Sequence, residues 1–198
     1  MTAARPTLIL ASTSRYRREL LERLRLPFSV HAPRVDEAAL PGETPATSAR
    51  RLALAKAYAV ARAHPDALVI GSDQVAELDG AAIGKPGSHE RAVAQLRSMS
   101  GRTVVFHTAV ASVCLSSGFV AEALVPATVR VRQLADEEIE RYLCIEQPYD
   151  CAGSAKSETL GIALLDAIES DDPTALIGLP LIRTCAMLRA AGLDPLAA

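Results

Sequence analysis

The chain has little of what marks several large protein classes. Its formal net charge is only −2 over 198 residues, so it lacks the basic excess with which nucleic-acid-binding domains meet a phosphate backbone. Its four cysteines, Cys114, Cys144, Cys151 and Cys185, contain no Cys-x-x-Cys pair. Neither a zinc site nor a disulfide framework is legible, and buried free thiols are the expectation. No apolar run approaches the roughly 20 residues of a membrane span, and no long apolar stretch follows Met1 as it would in a secretory leader. A cytoplasmic protein, with neither membrane nor nucleic acid among its partners, is therefore expected. Neither Gly-x-x-x-x-Gly-Lys-Ser/Thr nor Gly-x-Gly-x-x-Gly occurs, which excludes the usual P-loop and dinucleotide fingerprints. Internal repeats, low-complexity tracts and long linkers are also missing.

What is present describes a packed domain. With 49% hydrophobic and 22% charged residues, the chain can bury a substantial core as one domain spanning 1–198. Strand-like and helix-like runs alternate at first: a buried strand over Thr7–Ala11, a helix over Ser14–Arg25 stopped by Pro27, a strand over Phe28–Ala32, and a long Ala-rich helix over Thr44–Ala63. An apolar strand over Ala67–Ser72 is expected to end at Asp73-Gln74, and Asp79-Gly80 has the chemistry of a type I′ hairpin turn. Helices are predicted over Ser88–Met99, Asp136–Glu146 and Leu181–Ala191. Thr103–Leu115 and Phe119–Val131 read as a long antiparallel hairpin, and Leu160–Ile168 as a strand.

The most informative stretch is Leu8-Ile9-Leu10-Ala11-Ser12-Thr13-Ser14-Arg15-Tyr16-Arg17-Arg18. An apolar strand gives way to hydroxyls and then to a basic helix start, the layout of an anion site in which backbone N–H groups, a helix N-terminus and a guanidinium converge on phosphate. Tyr16 adds a ring able to stack on a base. The same residues also describe an ordinary capped helix with solvated arginines. Ser12, Glu37 and Asp73 each follow an apolar strand-like run, where ligands gather in open α/β sheets. Two carboxylates beside a phosphate clamp suit Mg²⁺ or Mn²⁺, which lowers the pKa of an attacking water. Asp73 is the candidate base for that water; its alternative is a turn aspartate bonding local amides. Lys56 on the long helix and Lys85 in Gly84-Lys85-Pro86 can neutralise charge developing on a leaving pyrophosphate, or can be solvated surface lysines.

Taken together, these segments resemble the Maf family of nucleotide pyrophosphatases. The match rests on Leu-Ala-Ser-Thr-Ser-x-x-Arg-Arg at 10–18, Val-Asp-Glu at 35–37, Lys56-Ala57, Gly-Ser-Asp-Gln at 71–74, Gly-Lys-Pro at 84–86, and Ser-Gly-Arg-Thr at 100–103. It continues through Tyr-Asp-Cys-Ala-Gly-Ser-Ala-Lys-Ser-Glu at 149–158 and Ile-Gly-Leu-Pro-Leu at 177–181. The resemblance implies an α/β fold, an elongated mixed sheet flanked by helices with two lobes around a nucleotide-binding cleft, related to inosine triphosphatases. It also implies metal-dependent hydrolysis between the α and β phosphates, with Asp73 as proton acceptor. Ser12, Arg17, Glu37, Lys56 and Lys85 fall on the phosphate- and metal-handling set, and Tyr16, Gln74 and Glu158 on positions tied to substrate choice. A homodimer is compatible with it.

The run Asp-Cys-Ala-Gly-Ser-x-Lys-Ser-Glu is similar to the branch acting on 7-methyl-GTP, giving 7-methyl-GMP and pyrophosphate. Methylation at N7 leaves guanine cationic, so a Tyr16 face would gain cation–π attraction of roughly 1–2 kcal/mol when desolvated. Glu158 is suited to accept from the guanine N1–H and amino group. Three positions depart from the pattern: Arg15 stands where proline is common, Tyr16 where tryptophan is, and Thr159 where glycine is. The alternatives are a dTTP/UTP/CTP pyrophosphatase of the same family and a noncatalytic nucleotide sensor linked to cell division. A sugar-nucleotide transferase shares only the opening Leu-Ile-Leu-Ala, without its Gly-rich loop.

Overall fold

The computed structural model describes residues 6–197, so the expectation about the stretch after Met1 lies in part outside the described residues. The chain runs β1 (Leu8–Ala11), α1 (Arg15–Glu22), β2 (Phe28–His31), α2 (Pro45–Ala61), β3 (Leu68–Leu78), β4 (Ala81–Ile83) and α3 (His89–Met99). It continues through β5 (Thr103–Cys114), β6 (Phe119–Val131), α4 (Asp136–Glu146), two 3₁₀ turns at Ala152–Ser154 and Leu160–Leu164, β7 (Leu165–Glu169) and α5 (Leu181–Ala190). The strands form one seven-stranded sheet in the order β2-β1-β3-β5-β6-β7, with β4 paired to β3. The sheet is mixed: β1 is parallel to both β2 and β3, and every other pairing is antiparallel.

Burial explains which sequence signals were legible. β1 sits between two strands and is buried at all its positions, so it reads as an unbroken apolar run. Alternate residues of β1 and β3 face two different cores. Leu8, Leu10, Leu68 and Ile70 pack with Leu20 and Leu21 of α1 and Leu188 of α5, whereas Ile9 and Val69 pack under Ala49, Ala53 and Ala57 of α2. A third core, around Ala76, Leu96, Phe106 and Leu143, lies beneath α3 and α4 at the other end of the long strands. The turn at Asp79-Gly80 takes positive φ at both residues, 52° and 82°, as a type I′ hairpin requires. α2 starts where Thr44 and Thr47 bond each other's backbone N–H groups, with Pro45 in the first turn.

Four expectations need correction. β3 does not end at Asp73 but continues to Leu78, because β5 pairs with it along that whole length. Only the first half of Leu160–Ile168 departs from strand: Gly161 lies against the Lys156 backbone, where an added Cβ would come within 2.4 Å of the Lys156 carbonyl oxygen. That contact turns the chain, and β7 begins only where Leu165 meets Val131 at the β6 edge. The four thiols are free, but only Cys114 is buried; Cys144 is exposed beside the inward-facing Tyr142 and Leu143 of α4. The first helix ends at Glu22, earlier than the sequence suggests. No described helix is long and apolar enough to cross a membrane.

Candidate active site

A cavity of about 950 Å³ opens between the third core and the parallel end of the sheet. All the candidate residues line it: Ser12, Tyr16 and Arg17 from the first loop and helix, Glu37 from the β2–α2 loop, Lys56 from α2, Asp73 and Gln74 from β3, Lys85 after β4, and Glu158 after the first 3₁₀ turn. The topology explains the convergence. β1 ends at Ala11 opposite Gly71 of β3, so Asp73, two residues further along β3, emerges just past the carboxyl end of its parallel neighbour. The strand end that opens the site is that of β1, not of β3.

The ionic centre is Lys56. Its Nζ donates to Asp73 Oδ1 at 2.6 Å and lies 2.8 Å from Glu37 Oε1. The side chains of Lys56 and Asp73 are buried, 6% and 9% exposed, whereas Glu37 is 59% exposed. Burial alone would raise the Glu37 pKa, but the Lys56 hydrogen bond and the charges of Lys56, Lys85 and Arg17 outweigh it and hold it below its ordinary value. Burial lowers the pKa of Arg17, opposed by Asp73 and Glu37. These shared influences place Arg17, Glu37, Lys56, Asp73 and Lys85 in one electrostatic group.

Gly71 sets the position of Lys56. A Cβ there would lie 2.3 Å from the Ala53 carbonyl oxygen and 2.6 Å from the Ala57 nitrogen, so α2 rests directly on β3 at this point. The small residues Ala49, Ala53 and Ala57 permit the approach, and Lys56 thereby reaches Asp73. The loop bearing Glu37 is fastened to the same helix. Arg51 bonds Glu43 through both carboxylate oxygens, at 2.6 and 2.8 Å, and donates to the Ala38 carbonyl at 3.0 Å.

Arg17 is held by its Nε, which donates to the Gly178 carbonyl at 2.9 Å. The same oxygen accepts from buried Ser72 Oγ at 2.9 Å. Gln74 Nε2 meets Thr108 Oγ1 at 2.9 Å and the Ala175 and Leu176 carbonyls at 3.0 Å. With two N–H groups so engaged, Gln74 fastens the 175–178 segment and has its Oε1 left for a ligand. Ser12 Oγ accepts from the Ser14 N–H at 3.1 Å, and Ser14 caps α1; the capping role and the place beside the cavity coexist. Lys85 is exposed at the cavity rim.

Tyr16 lines the same cavity. Its hydroxyl accepts from Arg15 Nη2 at 3.0 Å and from the Cys151 thiol at 3.6 Å, and lies 3.5 Å from Asp150 Oδ2. Burial, opposed by the Arg15 bond, raises the Tyr16 pKa, and burial pushes the Cys151 thiol up to about 11, so both stay protonated near neutrality. Exposed Glu158 lines the same cavity.

Sequence reasoning left several residues without a role. Asp172 is fully buried: Oδ1 accepts from the Thr174 N–H and hydroxyl, and Oδ2 from the Ile182 and Arg183 N–H groups at the start of α5. It fixes the segment that presents the Gly178 carbonyl to Arg17. The spacing Asp172-Pro173-Thr174 ahead of a helix is the signal that could have found it. Lys156 is buried, bonds the Glu146 carbonyl at the end of α4 at 3.3 Å and holds the turn leading to Glu158.

Two carboxylates, Glu37 and Asp73, each use one oxygen on Lys56, which leaves a second oxygen on each for a hard cation. Among the described residues no group of three or more His, Cys, Asp or Glu side chains is arranged to hold a metal alone. That set fits Mg²⁺ or Mn²⁺ bound jointly by a carboxylate or two and substrate phosphates.

A family model described as Maf-like protein matches residues 7–191. A 7-methyl-GTP pyrophosphatase of Polaromonas sp. is 68% identical over 194 residues, covering 96% of this chain and 89% of its own length. Proteins of the same name from Albidiferax ferrireducens and Thiobacillus denitrificans are 65% and 61% identical, covering 96% and 99% of this chain and 96% and 98% of their own lengths.

Proposed function

The chain belongs to the Maf family, and from that premise we propose that it hydrolyses 7-methyl-GTP to 7-methyl-GMP and pyrophosphate. The observation that carries this reading is one cavity lined by two chemically distinct sets of side chains: the Asp73–Lys56–Glu37 ion cluster with Arg17, and the Tyr16 ring and Glu158. A triphosphate suits the first, a cationic purine the second.

In this reading Arg17 and Lys85 hold phosphate oxygens, with the Ser12–Ser14 loop and the α1 N-terminus beside them. Arg17 is pre-aimed because its Nε is committed to Gly178, leaving the terminal nitrogens for substrate. Asp73 orients a water and accepts its proton as the hydroxyl adds to phosphorus. The α–β anhydride breaks, and the bridging oxygen leaves with pyrophosphate. Lys56 keeps Asp73 and Glu37 at fixed separation and offsets their mutual repulsion. A divalent cation held by Glu37, Asp73 and the phosphates would supply Lewis acidity and a more acidic attacking water. At the base end Tyr16 stacks, and Glu158 accepts from the guanine N1–H and amino group while balancing its charge. A cytoplasmic setting goes with a free nucleotide substrate.

A panel of 7-methyl-GTP, GTP, UTP, dTTP and CTP, assayed for pyrophosphate with Mg²⁺ or Mn²⁺, tests the assignment. The reading expects the highest kcat/KM for 7-methyl-GTP. Highest efficiency with a pyrimidine triphosphate would move the chain to the other branch, and binding without turnover of any of them would make it a sensor.

A further inference from the structure

Arg15 opens α1 at the rim of the cavity, and its guanidinium carbon lies 4.8 Å from the centre of the Tyr16 ring. Nη2 donates to the Tyr16 hydroxyl at 3.0 Å, and both side chains line the cavity. No carboxylate among the described residues forms an ion pair with Arg15; Asp150 and Glu19 act on it only at longer range. The ring that would receive a cationic base therefore already carries a cation. A neutral guanine and a 7-methylguanine meet this arrangement differently. A planar guanidinium stacks well on a neutral heterocycle, but it repels a ring of its own charge.

We propose that Arg15 is a specificity-determining residue that competes with a cationic base for Tyr16, lowering the preference for 7-methylguanine over guanine below what Tyr16 and Glu158 alone would give. This rests on the assignment of the base to the Tyr16 end of the cavity. Glu158 and Arg15 act in opposite senses there, and their balance sets the selectivity. The Tyr16 hydroxyl, bonded by Arg15 and Cys151 and close to Asp150, fixes the ring against which they compete.

The test compares wild type, Arg15→Gln and Arg15→Lys in two measurements. One is kcat/KM for 7-methyl-GTP against GTP; the other is calorimetric Kd for 7-methyl-GMP against GMP. Removing the charge in Arg15→Gln should raise the methylated-to-unmethylated ratio roughly 2- to 5-fold in both, the range of an exposed cation–π contact. Arg15→Lys should stay within about twofold of wild type, and salt near 0.5 M should narrow the gap, because exposed charges are screened. A ratio that is unchanged or lower in Arg15→Gln, or equally raised in Arg15→Lys, overturns the inference. Loss of hydrolysis in wild type with the binding ratio still shifted by Arg15→Gln overturns the proposed activity and leaves this inference standing. Failure to bind either monophosphate, together with no turnover of either triphosphate, overturns both.

Discussion

At the scale of single residues, the proposed hydrolysis turns on Asp73. Asp73→Asn removes the proposed proton acceptor with little change in volume, and Lys56 keeps Glu37 as a partner at 2.8 Å. Turnover should fall by roughly 10²- to 10⁴-fold, the usual contribution of a positioned base, while the melting temperature stays close to wild type. Pyrophosphate release and a thermal melt measure both; near-wild-type turnover would remove Asp73 from that role. Tyr16→Ala and Glu158→Gln should lower kcat/KM for 7-methyl-GTP more than for UTP, since a pyrimidine offers neither the positive ring nor the paired donors. Equal losses would make them supports of the phosphate end. Asp73 was legible because a carboxylate beside an apolar run is conspicuous, but the reason was misplaced: it stands in mid-strand, exposed by the end of β1. Arg15 was legible only as an odd residue, because its stacking on Tyr16 depends on a rotamer and on the cavity wall.

At the scale of elements, two contacts hold the Asp73–Lys56–Glu37 cluster together. The first is the seat of α2 on Gly71, where an added Cβ would fall 2.3 Å from backbone. Gly71→Ala should cost about 1–3 kcal/mol of stability, as overpacked cores do, and should lower kcat because Lys56 moves with the helix. Chemical denaturation and steady-state kinetics on the same preparation would show whether the two losses travel together. The second is the Glu43–Arg51 clamp over the Glu37 loop. The Arg51 hydrogen bond holds the Glu43 carboxyl at about 2, below its ordinary 4.5. A depressed carboxyl stabilises the closed loop fully above the unfolded pKa and loses that contribution as pH falls through the folded one. The protection factors of amides in residues 36–43, taken relative to the intrinsic exchange rate at each pH, should hold down to about pH 4.5 and fall as pH drops toward about 2. In Arg51→Ala that protection should already be reduced at neutral pH. Elements were readable where burial imposes one pattern, as in β1, or where backbone conformation selects the residues, as at the exposed Asp79-Gly80 turn. They were not readable where a distant contact decides, as at Leu160–Leu164, whose 3₁₀ turn follows from Gly161 lying on the Lys156 backbone.

At the scale of the whole molecule, one mixed sheet carries separate cores, and the cavity sits where β3 passes between them. Distant segments meet because the parallel strands end there and the 172–181 segment closes the side. Asp172 anchors that closure through four bonds. Asp172→Ala should therefore destabilise by roughly 1–3 kcal/mol, the cost of buried donors left unpaired, and raise KM through Arg17, read by denaturation and kinetics together. Which residues converge was largely legible, since order and spacing of the motifs carry it; the struts between them were not, because Asp172 acts through backbone N–H groups and Arg51 through Glu43, neither of them in a motif. The most direct test is the product balance from purified protein with 7-methyl-GTP and Mg²⁺ or Mn²⁺, wild type beside Asp73→Asn. The account predicts one 7-methyl-GMP and one pyrophosphate per substrate consumed by wild type, and near-silence from the variant; 7-methyl-GDP with orthophosphate, or equal turnover by the variant, would contradict it.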